Sequence, residues 1–480
     1  MRQRIRATVV PVLACCTAML TAVMPVSSAV PEDSGGGAVV TDLETAVRRD
    51  LHIDMAEYLR RADVAQQLAQ FEKLARAAYP MVFAGVRMDG GRALVSLTDG
   101  TGFDTAANAA RQAGFEVVKV GTSAAALQQQ RAAVRRWIEG QPHESANAFI
   151  GDAVDVRRNK VVLYTSGGAQ VPSELGAVEL IASDEPQTGP GMDPGVPITL
   201  AAPGEDFKGG QAYEISFDAT HYGKCSLGFN ATKEGDKEHA FAISAGHCDP
   251  NNLVDPASKT TEPHKIYDYV PGELGDELGA FSASAFGPRD YSILRINADQ
   301  AARFHNNLVV GGPSDKPGAK PSPAPDSPPG GGSSGSADRA STGSSTGRST
   351  SNSATEPIAA ATSGTIAIDG TATPVVDMPA CKSGAITGYT CGTVDMVGQS
   401  FNEGGLPNTD RKVKVEGFFT VKTCSVQGDS GGSVITGTKA LGLLSAGTSK
   451  NHQCTPSDIL TSQPIETVLS ENPGLTIRTN

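Results

Sequence analysis

The chain has 480 residues, which is enough for two or three domains and too many for one ordinary domain. Its 54 glycines and 30 prolines favour turns and exclude a helical bundle or coiled coil over most of the length. The 40 Lys and Arg residues against 52 Asp and Glu give a net charge of -12, which argues against a nucleic-acid partner because phosphate binding needs a basic face.

The N-terminus predicts an export signal over residues 1–29. A basic start, MRQRIR, precedes an apolar run, and the small residues Ser27, Ser28 and Ala29 form a cleavage site. A lipoprotein signal cleaved before Cys15 is the alternative, although bulky Leu13 stands where small residues are usual. We therefore expect a secreted protein.

Removal of this signal leaves six cysteines, all beyond residue 220. An even number in an exported chain predicts three disulfides, and spacing alone allows 15 connectivities. We expect no metal site, because the sequence has no CxxC or HxxxH pairing, and the chemistry inferred below requires no organic cofactor. The cysteines are Cys225, Cys248, Cys381, Cys391, Cys424 and Cys454.

Residues 41–200 contain no cysteine and predict a small α+β unit. Helical periodicity before Pro80 predicts two surface helices, and Asp89-Gly90-Gly91 predicts a hairpin turn between two strands. Further helices and strands alternate up to about residue 166. We expect Trp137 to anchor one helix on the sheet.

From about residue 207 the pattern changes to short strands between Gly, Asn, Asp and Pro. This spacing predicts a sandwich or barrel, with a single helix near QPIETVLSEN. Residues 313–357, rich in Pro, Gly, Ser and Thr, have no apolar period. We expect them to form a tether that cannot pack a core.

The segment CSVQGDSGG, which begins at Cys424, provides a candidate nucleophile in Ser430. A serine hydroxyl needs a base within hydrogen-bond reach and a pocket for the oxyanion that it creates. The surrounding glycines permit a turn in which the amides of Gly428 and Ser430 point at one oxygen.

A candidate base and a candidate orienting acid lie earlier in the chain. His247 follows the apolar run AISAG, and a neutral imidazole can accept the serine proton and return it to a leaving amine. Asp290 stands directly before the alternating strand YSILRI and can orient the imidazole. On this segment alone, Asp276 and Glu277 are alternatives to Asp290.

Together these segments resemble the chymotrypsin-like serine endopeptidases of the streptogrisin and α-lytic protease family. The matching stretches are CSLGFNA, SAGHC, DYSILRI, CKSGAITGYTCGT, CSVQGDSGGSVI, LLSAGTS and QPIETVL. They span nearly the whole region from residue 207 outside the tether.

The resemblance implies an all-β fold of two barrels, trypsin-like, with His247, Asp290 and Ser430 in the crevice between them. It implies the disulfides Cys225–Cys248, Cys381–Cys391 and Cys424–Cys454. It also implies a substrate-binding strand at Ser445, Ala446 and Gly447, where a peptide would add by main-chain hydrogen bonds.

Lys382 departs from the resemblance, because related sequences have arginine there. In that family the cation lies near the acid before the nucleophile, here Asp429. We expect a partly buried Lys382–Asp429 ion pair with a point charge in place of a planar fork. A surface lysine is the alternative.

The upstream half resembles the pro-region of the same family, which assists folding and blocks the active site until it is removed. This implies a signal at 1–29, an α+β pro-region at 30–206 and a protease domain at 207–480, interrupted by the 313–357 tether. Cleavage is expected between about Pro190 and Gly210. A template of this kind suits a fold dominated by non-local contacts.

The predicted function is a secreted endopeptidase made as a zymogen, acting on protein or peptide substrates as a monomer. Its other partner is its own pro-region, and the tether offers envelope association. Apolar P1 residues are expected; Lys422 would favour acidic P1 residues if it pointed into the pocket. The alternative function is a non-catalytic envelope adhesin on a protease-like scaffold.

Overall fold

The computed structural model describes residues 39–191, 199–202, 204–216, 222–311, 364–404, 412–449 and 454–479. The predicted signal at 1–29 and the predicted tether at 313–357 lie outside the described residues. The described residues belong to one compact unit. Among the described residues, no helix combines the length and the apolar character needed to cross a membrane.

The upstream region contains helices and strands in the predicted alternation. Asp54 accepts a hydrogen bond from the Glu57 amide at the start of the second helix, and Ser123 caps the fourth in the same way. The helices are α1 Val39–Leu51, α2 Met55–Ala78, α3 Phe103–Gln112, α4 Ala124–Glu139 and α5 His143–Ala146. The strands are β1 Phe83–Asp89, β2 Arg92–Thr98, β3 Glu116–Val120, β4 Phe149–Asp155, β5 Lys160–Thr165 and β6 Val178–Ala182.

The downstream region is almost entirely strand, as its turn-rich sequence predicts. Its first part contains β7 Ala212–Ser216, β8 Tyr222–Ser226, β9 Phe229–Lys233, β10 Asp236–Ser244, β11 Lys265–Val270, β12 Glu273–Phe286, β13 Asp290–Ile296 and β14 Leu308–Val310. Its second part contains β15 Thr365–Ala367, β16 Gly370–Thr371, β17 Pro379–Gly384, β18 Gly388–Glu403, β19 Val413–Val421, β20 Ser433–Thr436, β21 Lys439–Gly447, β22 Leu460–Pro464, α6 Ile465–Glu471 and β23 Leu475–Ile477.

Seven strands of the first part, together with β23, form a curled eight-stranded antiparallel sheet, which we call the N-terminal barrel. Its strand order is β23-β9-β10-β13-β12-β11-β7-β8. Alternate side chains of these strands enclose one apolar core, in which Phe207 stacks on Phe304 and Tyr213 and Leu294 are buried.

The second part contains a closed ring of six strands, which we call the C-terminal barrel. The order β17-β20-β21-β22-β19-β18 returns to its start because β17 also pairs with β18. Closure removes the free edges of the ring. The all-β double-barrel fold class is therefore confirmed.

Part of the upstream region extends the C-terminal barrel. Strand β4 pairs with the outer end of β18, where Ser400 lies opposite Asp152 and Phe401 opposite Gly151. Strands β5 and β6 continue the same sheet, while β1, β2 and β3 form a separate small sheet. The predicted α+β unit is thus divided between two sheets, because the protruding edge of β18 supplies pairing partners for β4.

Helix α4 is fixed on this extension by the predicted tryptophan anchor and by a buried cation. Trp137 packs edge-to-face on Phe149 of β4, with ring centroids 5.6 Å apart. Arg131 donates to the carboxylate of Asp152 and to the carbonyl of Gly398, the latter at 2.7 Å. The guanidinium therefore links the upstream helix to the downstream barrel.

Candidate active site

The pairing of β10 with β13 brings His247 to Asp290. Ser244 lies opposite Ser292 in this antiparallel pair, so the residues just after β10 lie beside the first residue of β13. The His247 Nδ1 atom lies 2.7 Å from Asp290 Oδ2, and the His247 amide donates to Oδ1 at 2.9 Å. Both side chains are fully buried.

Asp290 is the acid that meets the imidazole, and the two alternatives lie elsewhere. Glu277 forms an ion pair with Lys265 at 2.6 Å, and Asp276 is exposed. The amide of Asp290 donates to Gln463 Oε1 at 3.1 Å. The Asp290 carboxylate also accepts from the Ser445 hydroxyl, so that backbone and side chain are both held and the carboxylate can orient the ring that it contacts.

Ser430 lies in a tight turn before β20. Gly428 has a φ of 94°, a left-handed conformation that glycine adopts without steric cost. The Gly428 carbonyl accepts from Ser226 Oγ at 2.8 Å, and the Ser430 carbonyl accepts from the Ser226 amide at 2.8 Å. Strand β8 of the N-terminal barrel therefore fixes the serine turn from across the crevice.

Asp429 holds the turn from the side of the C-terminal barrel. Its Oδ1 accepts from the amides of Ile386 and Thr387 at 2.8 and 2.9 Å, and its Oδ2 accepts from the Val426 amide at 3.2 Å. These bonds leave the Asp429 side chain pointing away from the reacting face. Sequence reasoning did not identify the 386–387 loop as its partner.

Lys382 lies against Asp429, deeper than we predicted. Its Nζ is 3.6 Å from Asp429 Oδ2, and both side chains are fully buried. Thr387 Oγ1 bridges the two groups, and the Gly388 carbonyl accepts from the ammonium at 2.9 Å. Burial lowers the pKa of Lys382, and the Asp429 carboxylate opposes that shift.

The hydroxyl of Ser430 and the free nitrogen of His247 are not joined to each other in this structure. Ser430 Oγ donates to the carbonyl of Gly189 at 3.4 Å. His247 Nε2 is buried and has no hydrogen-bond partner in the part of the chain that the structure describes. The upstream region thus supplies the group that occupies the serine.

Residues 186–191, which we call the cleft segment, cross the crevice and pair with a strand at each end through isolated β-bridges. Gln187 exchanges two backbone hydrogen bonds with Gly447, at 2.9 and 3.1 Å. Gly191 exchanges two with Lys224, at 2.9 and 3.2 Å. Because both ends are paired, the bond between Gly189 and Pro190 lies at Ser430.

Gly191 allows the cleft segment to approach the serine turn closely. A Cβ atom built on Gly191 would lie 3.2 Å from the amide nitrogen of Gly428 and 3.1 Å from its Cα. A side chain there would press against the backbone of the turn. The described geometry therefore places the segment directly over one of the two predicted oxyanion donors.

The predicted substrate strand at Ser445, Ala446 and Gly447 is the end of β21. Gly447 pairs with the cleft segment, and the Ser445 carbonyl accepts from Thr188 Oγ1 at 3.3 Å. The Ser445 hydroxyl reaches Asp290 Oδ2. It also lies 3.1 and 3.3 Å from the two carboxyl oxygens of Glu403, a residue that sequence reasoning missed.

The six cysteines form the three pairs that the resemblance implied: Cys225–Cys248, Cys381–Cys391 and Cys424–Cys454. The first pair fixes the residue after His247, and the third fixes the segment that leads to Ser430. Cys424, Cys454 and Asp458 lie close together, but sulfurs joined in a disulfide are not the thiolates that metals bind.

Lys422 lies on the surface. Its side chain is 52% exposed, and its Nζ lies 3.2 Å from Asp395 Oδ1. The condition under which we expected acidic P1 residues is therefore not met.

Comparison with known proteins finds similar sequences among bacterial serine proteases. The chain is 26% identical over 473 residues to streptogrisin-C of Streptomyces griseus, which covers 95% of this chain and 78% of the relative. It is 25% identical over 222 residues to serine protease 1 of Streptomyces fradiae, covering 46% of this chain and 41% of the relative. The chain is therefore similar in sequence to streptogrisin-type serine proteases over nearly its whole length.

No family model matches the chain. Among solved structures, Thermobifida fusca protease A aligns with a TM-score of 0.36 and 21% identity, covering 57% of this chain and all of the other.

Proposed function

We propose that this streptogrisin relative is a secreted serine endopeptidase made as a zymogen, with His247, Asp290 and Ser430 as its catalytic triad. The observation that carries the proposal is the buried His247–Asp290 pair together with Ser430, whose hydroxyl bonds the cleft segment that pairs with the predicted substrate strand at Gly447. No other arrangement of the described residues combines an oriented imidazole, a serine on a tight turn and a peptide.

In the proposed reaction, Ser430 Oγ attacks the substrate carbonyl while His247 Nε2 accepts its proton. The amides of Gly428 and Ser430 donate to the oxyanion, and His247 then returns the proton to the leaving amine. Water then attacks the carbonyl of the acyl-enzyme, with His247 again accepting and returning a proton, and the acid product leaves Ser430. Asp290 holds the Nδ1–H tautomer and stabilises the imidazolium that forms.

The zymogen state is supported by the position of the cleft segment. It occupies the substrate strand at Gly447 and the opposite side of the crevice at Lys224, so that an external peptide has no free edge to pair with. Activation would require a cut upstream of Phe207, which is buried in the core of the N-terminal barrel.

The cleft segment itself is a poor substrate. Pro190 would be the leaving residue, and its ring nitrogen carries a carbon where an ordinary peptide carries hydrogen. Gly189 offers no side chain to a specificity pocket. A segment bound in this way resembles a substrate but is expected to be cleaved slowly, so the maturation bond would lie elsewhere between Pro190 and Phe207.

For external substrates we propose an apolar P1 preference. Val426 and Ala446 lie on the two segments that flank the serine and are both buried. The mature enzyme would act on protein or peptide substrates as a monomer, and envelope association through residues 313–357 stays a proposal.

The proposal is tested with an organophosphonate that traps activated serines. Secreted, processed protein should be labelled at Ser430, and the label should disappear in His247→Ala, because the hydroxyl then lacks its base. Mapping the adduct by mass spectrometry identifies the nucleophile, and N-terminal sequencing identifies the maturation bond. If processed wild-type protein takes no label, the endopeptidase proposal is wrong and the non-catalytic envelope adhesin is the remaining hypothesis.

A further inference from the structure

Glu403 is a fully buried acid without a cationic partner in the part of the chain that the structure describes. It ends β18, and its carboxyl group lies behind Ser445, on the side opposite Asp290. Ionised carboxylates are seldom buried without a pairing charge or several donors, because their desolvation is costly. The charge state of Glu403 therefore needs an explanation.

The hydrogens available at Ser445 decide that state. The Ser445 hydroxyl has one hydrogen and can donate only one hydrogen bond. Its oxygen nevertheless lies within hydrogen-bond distance of Asp290 Oδ2 and of both carboxyl oxygens of Glu403. If both acids were ionised, one of these contacts would join two acceptors. A proton on one of the acids removes the conflict.

Asp290 is the acid that stays ionised, because its oxygens already accept from the Nδ1 and the amide of His247. Glu403 accepts only from the hydroxyl of Thr461, at 3.2 Å, besides the contacts to Ser445. The shared proton therefore belongs on Glu403. Burial, with the Asp290 carboxylate adding to it, raises the pKa of Glu403 well above its usual range.

We propose that Glu403 is a positioning residue of the catalytic site: as the neutral acid it donates to Ser445 Oγ and so commits the Ser445 hydrogen to Asp290. The chain of bonds runs from Glu403 through Ser445 and Asp290 to His247. It adds a second donor to Asp290 Oδ2, the oxygen that also contacts His247 Nδ1. This role rests on the proposed function, since it acts through the triad.

The charged groups around Glu403 are consistent with a neutral acid. Asp290 on β13 is an acid that shares the Ser445 hydroxyl with Glu403. Glu185, which precedes the cleft segment, lies near Gly404 and pairs with Lys412 at 2.9 Å. Lys412 is thereby committed to another carboxylate and does not neutralise Glu403.

The test compares Glu403→Gln with Glu403→Ala in processed, secreted enzyme, with Glu277→Gln as a matched surface control. The amide of glutamine keeps a donor for Ser445, so Glu403→Gln should retain kcat within about threefold of wild type. Glu403→Ala should lower kcat about 10- to 100-fold with KM nearly unchanged, well short of the ~10⁴-fold loss when the orienting acid itself is altered. Glu277→Gln should match wild type.

A second readout does not depend on catalysis. Infrared spectra of the full-length precursor should contain the stretch of a protonated carboxyl group at neutral pH, absent from Glu403→Gln and retained in Glu277→Gln. At alkaline pH, ionisation of Glu403 should reduce wild-type kcat, and Glu403→Gln should lack this step. If Glu403→Ala fails to fold, the kinetics of Glu403→Gln and the infrared spectra still test whether Glu403 is a neutral donor to Ser445.

The proposal is overturned if kcat falls as far in Glu403→Gln as in Glu403→Ala, or if the kcat of Glu403→Ala equals that of wild type. It is also overturned if the infrared stretch of the protonated carboxyl group is missing from the wild-type spectrum. Phosphonate labelling of wild-type Ser430 separates these failures from a failure of the proposed function. A labelled wild type with an unaffected Glu403→Ala removes only the role of Glu403, whereas an unlabelled wild type removes both.

Discussion

The two barrels differ in how far they depend on the upstream region. Each strand of the N-terminal barrel comes from residues 212–296 or from β23, and the pairing of β10 with β13 alone brings His247 to Asp290. The C-terminal barrel continues into β4, β5 and β6, and helix α4 is fixed to it through Arg131. The half that carries Ser430 is therefore the half whose structure the upstream region completes.

From this difference we propose that the serine side uses the upstream region as a folding template. Its ring is closed by the pairing of β17 with β18, and the serine turn is held by contacts from β8 and the 386–387 loop. Contacts between distant segments form slowly, because loop closure precedes the stabilisation that they provide. A docked strand on β18 offers an edge on which the ring can assemble.

The largest expected effect concerns the N-terminal barrel. Asp290→Asn keeps the size of the side chain but favours the wrong imidazole tautomer, and should lower kcat about 10⁴-fold. Steady-state hydrolysis of a peptide substrate measures this, with Asp276→Asn as the exposed control. If the Asp290→Asn enzyme kept a kcat within about tenfold of wild type, Asp290 would have no place in the triad.

On the serine side, Lys382→Met should greatly reduce turnover. It leaves Asp429 buried without its cation, and breaking such a pair costs about 3–5 kcal/mol. We expect a loss of at least ~100-fold in active secreted enzyme, measured by phosphonate titration, because the serine turn loses its support. Lys422→Met, which removes an exposed lysine, is the control, and equal activity in both variants would remove the supporting role of the ion pair.

The dependence of the C-terminal barrel on the upstream region is tested by Arg131→Ala. The yield of active secreted enzyme should fall roughly tenfold, because Asp152 loses its buried partner Arg131 and keeps only Arg135, whose side chain is 25% exposed. Arg92→Ala, which removes an exposed pair on β2, should leave the yield unchanged. Equal yields from both variants would show that the α4 contact contributes nothing to assembly.

The cleft segment, which touches both barrels, is tested by Pro190→Ala. The variant restores an ordinary peptide nitrogen at Ser430, so cleavage after Gly189 should become at least about tenfold faster than in wild type. Mass spectrometry of the precursor measures the cut, and Pro190→Ala combined with Ser430→Ala must abolish it. If wild type is cut after Gly189 as fast as the variant, Pro190 does not protect the cleft segment from cleavage, and the proposed reason for its slow cleavage is wrong.

The smallest effect is on stability. The folded pKa of Glu403 is raised above the ~4.3 of an unfolded glutamate, so its contribution is fully present below about pH 4.3 and is lost as pH rises through the folded value. Glu403→Gln has no ionisable group at this position and therefore does not lose this stability as pH rises. The Tm of Glu403→Gln relative to wild type, measured in a Ser430→Ala background, should therefore increase with pH above ~4.3, and a constant difference would contradict the raised pKa.

Much of the upstream structure could be predicted from local sequence. The hairpin around Gly90-Gly91, the helices before Pro80 and the Trp137 anchor all occur as expected. Periodicity and turn residues determine such elements over short stretches. The same reasoning did not reveal that β4 would leave its neighbours and join β18, because edge pairing depends on which strand protrudes in the folded chain.

The sequence by itself determined the candidate nucleophile and the candidate base, because the motifs around Ser430 and His247 each carry distinctive neighbours within a few residues. Only the tertiary structure decided that Asp290, and not Asp276 or Glu277, lies against His247 and that Glu403 reaches Asp290 through Ser445. It also decided that Lys382 is wholly buried and that Gly189 lies at Ser430. These relations join residues far apart in the chain. No local pattern encodes them, because burial and the sharing of a hydrogen arise only when separate strands are packed together.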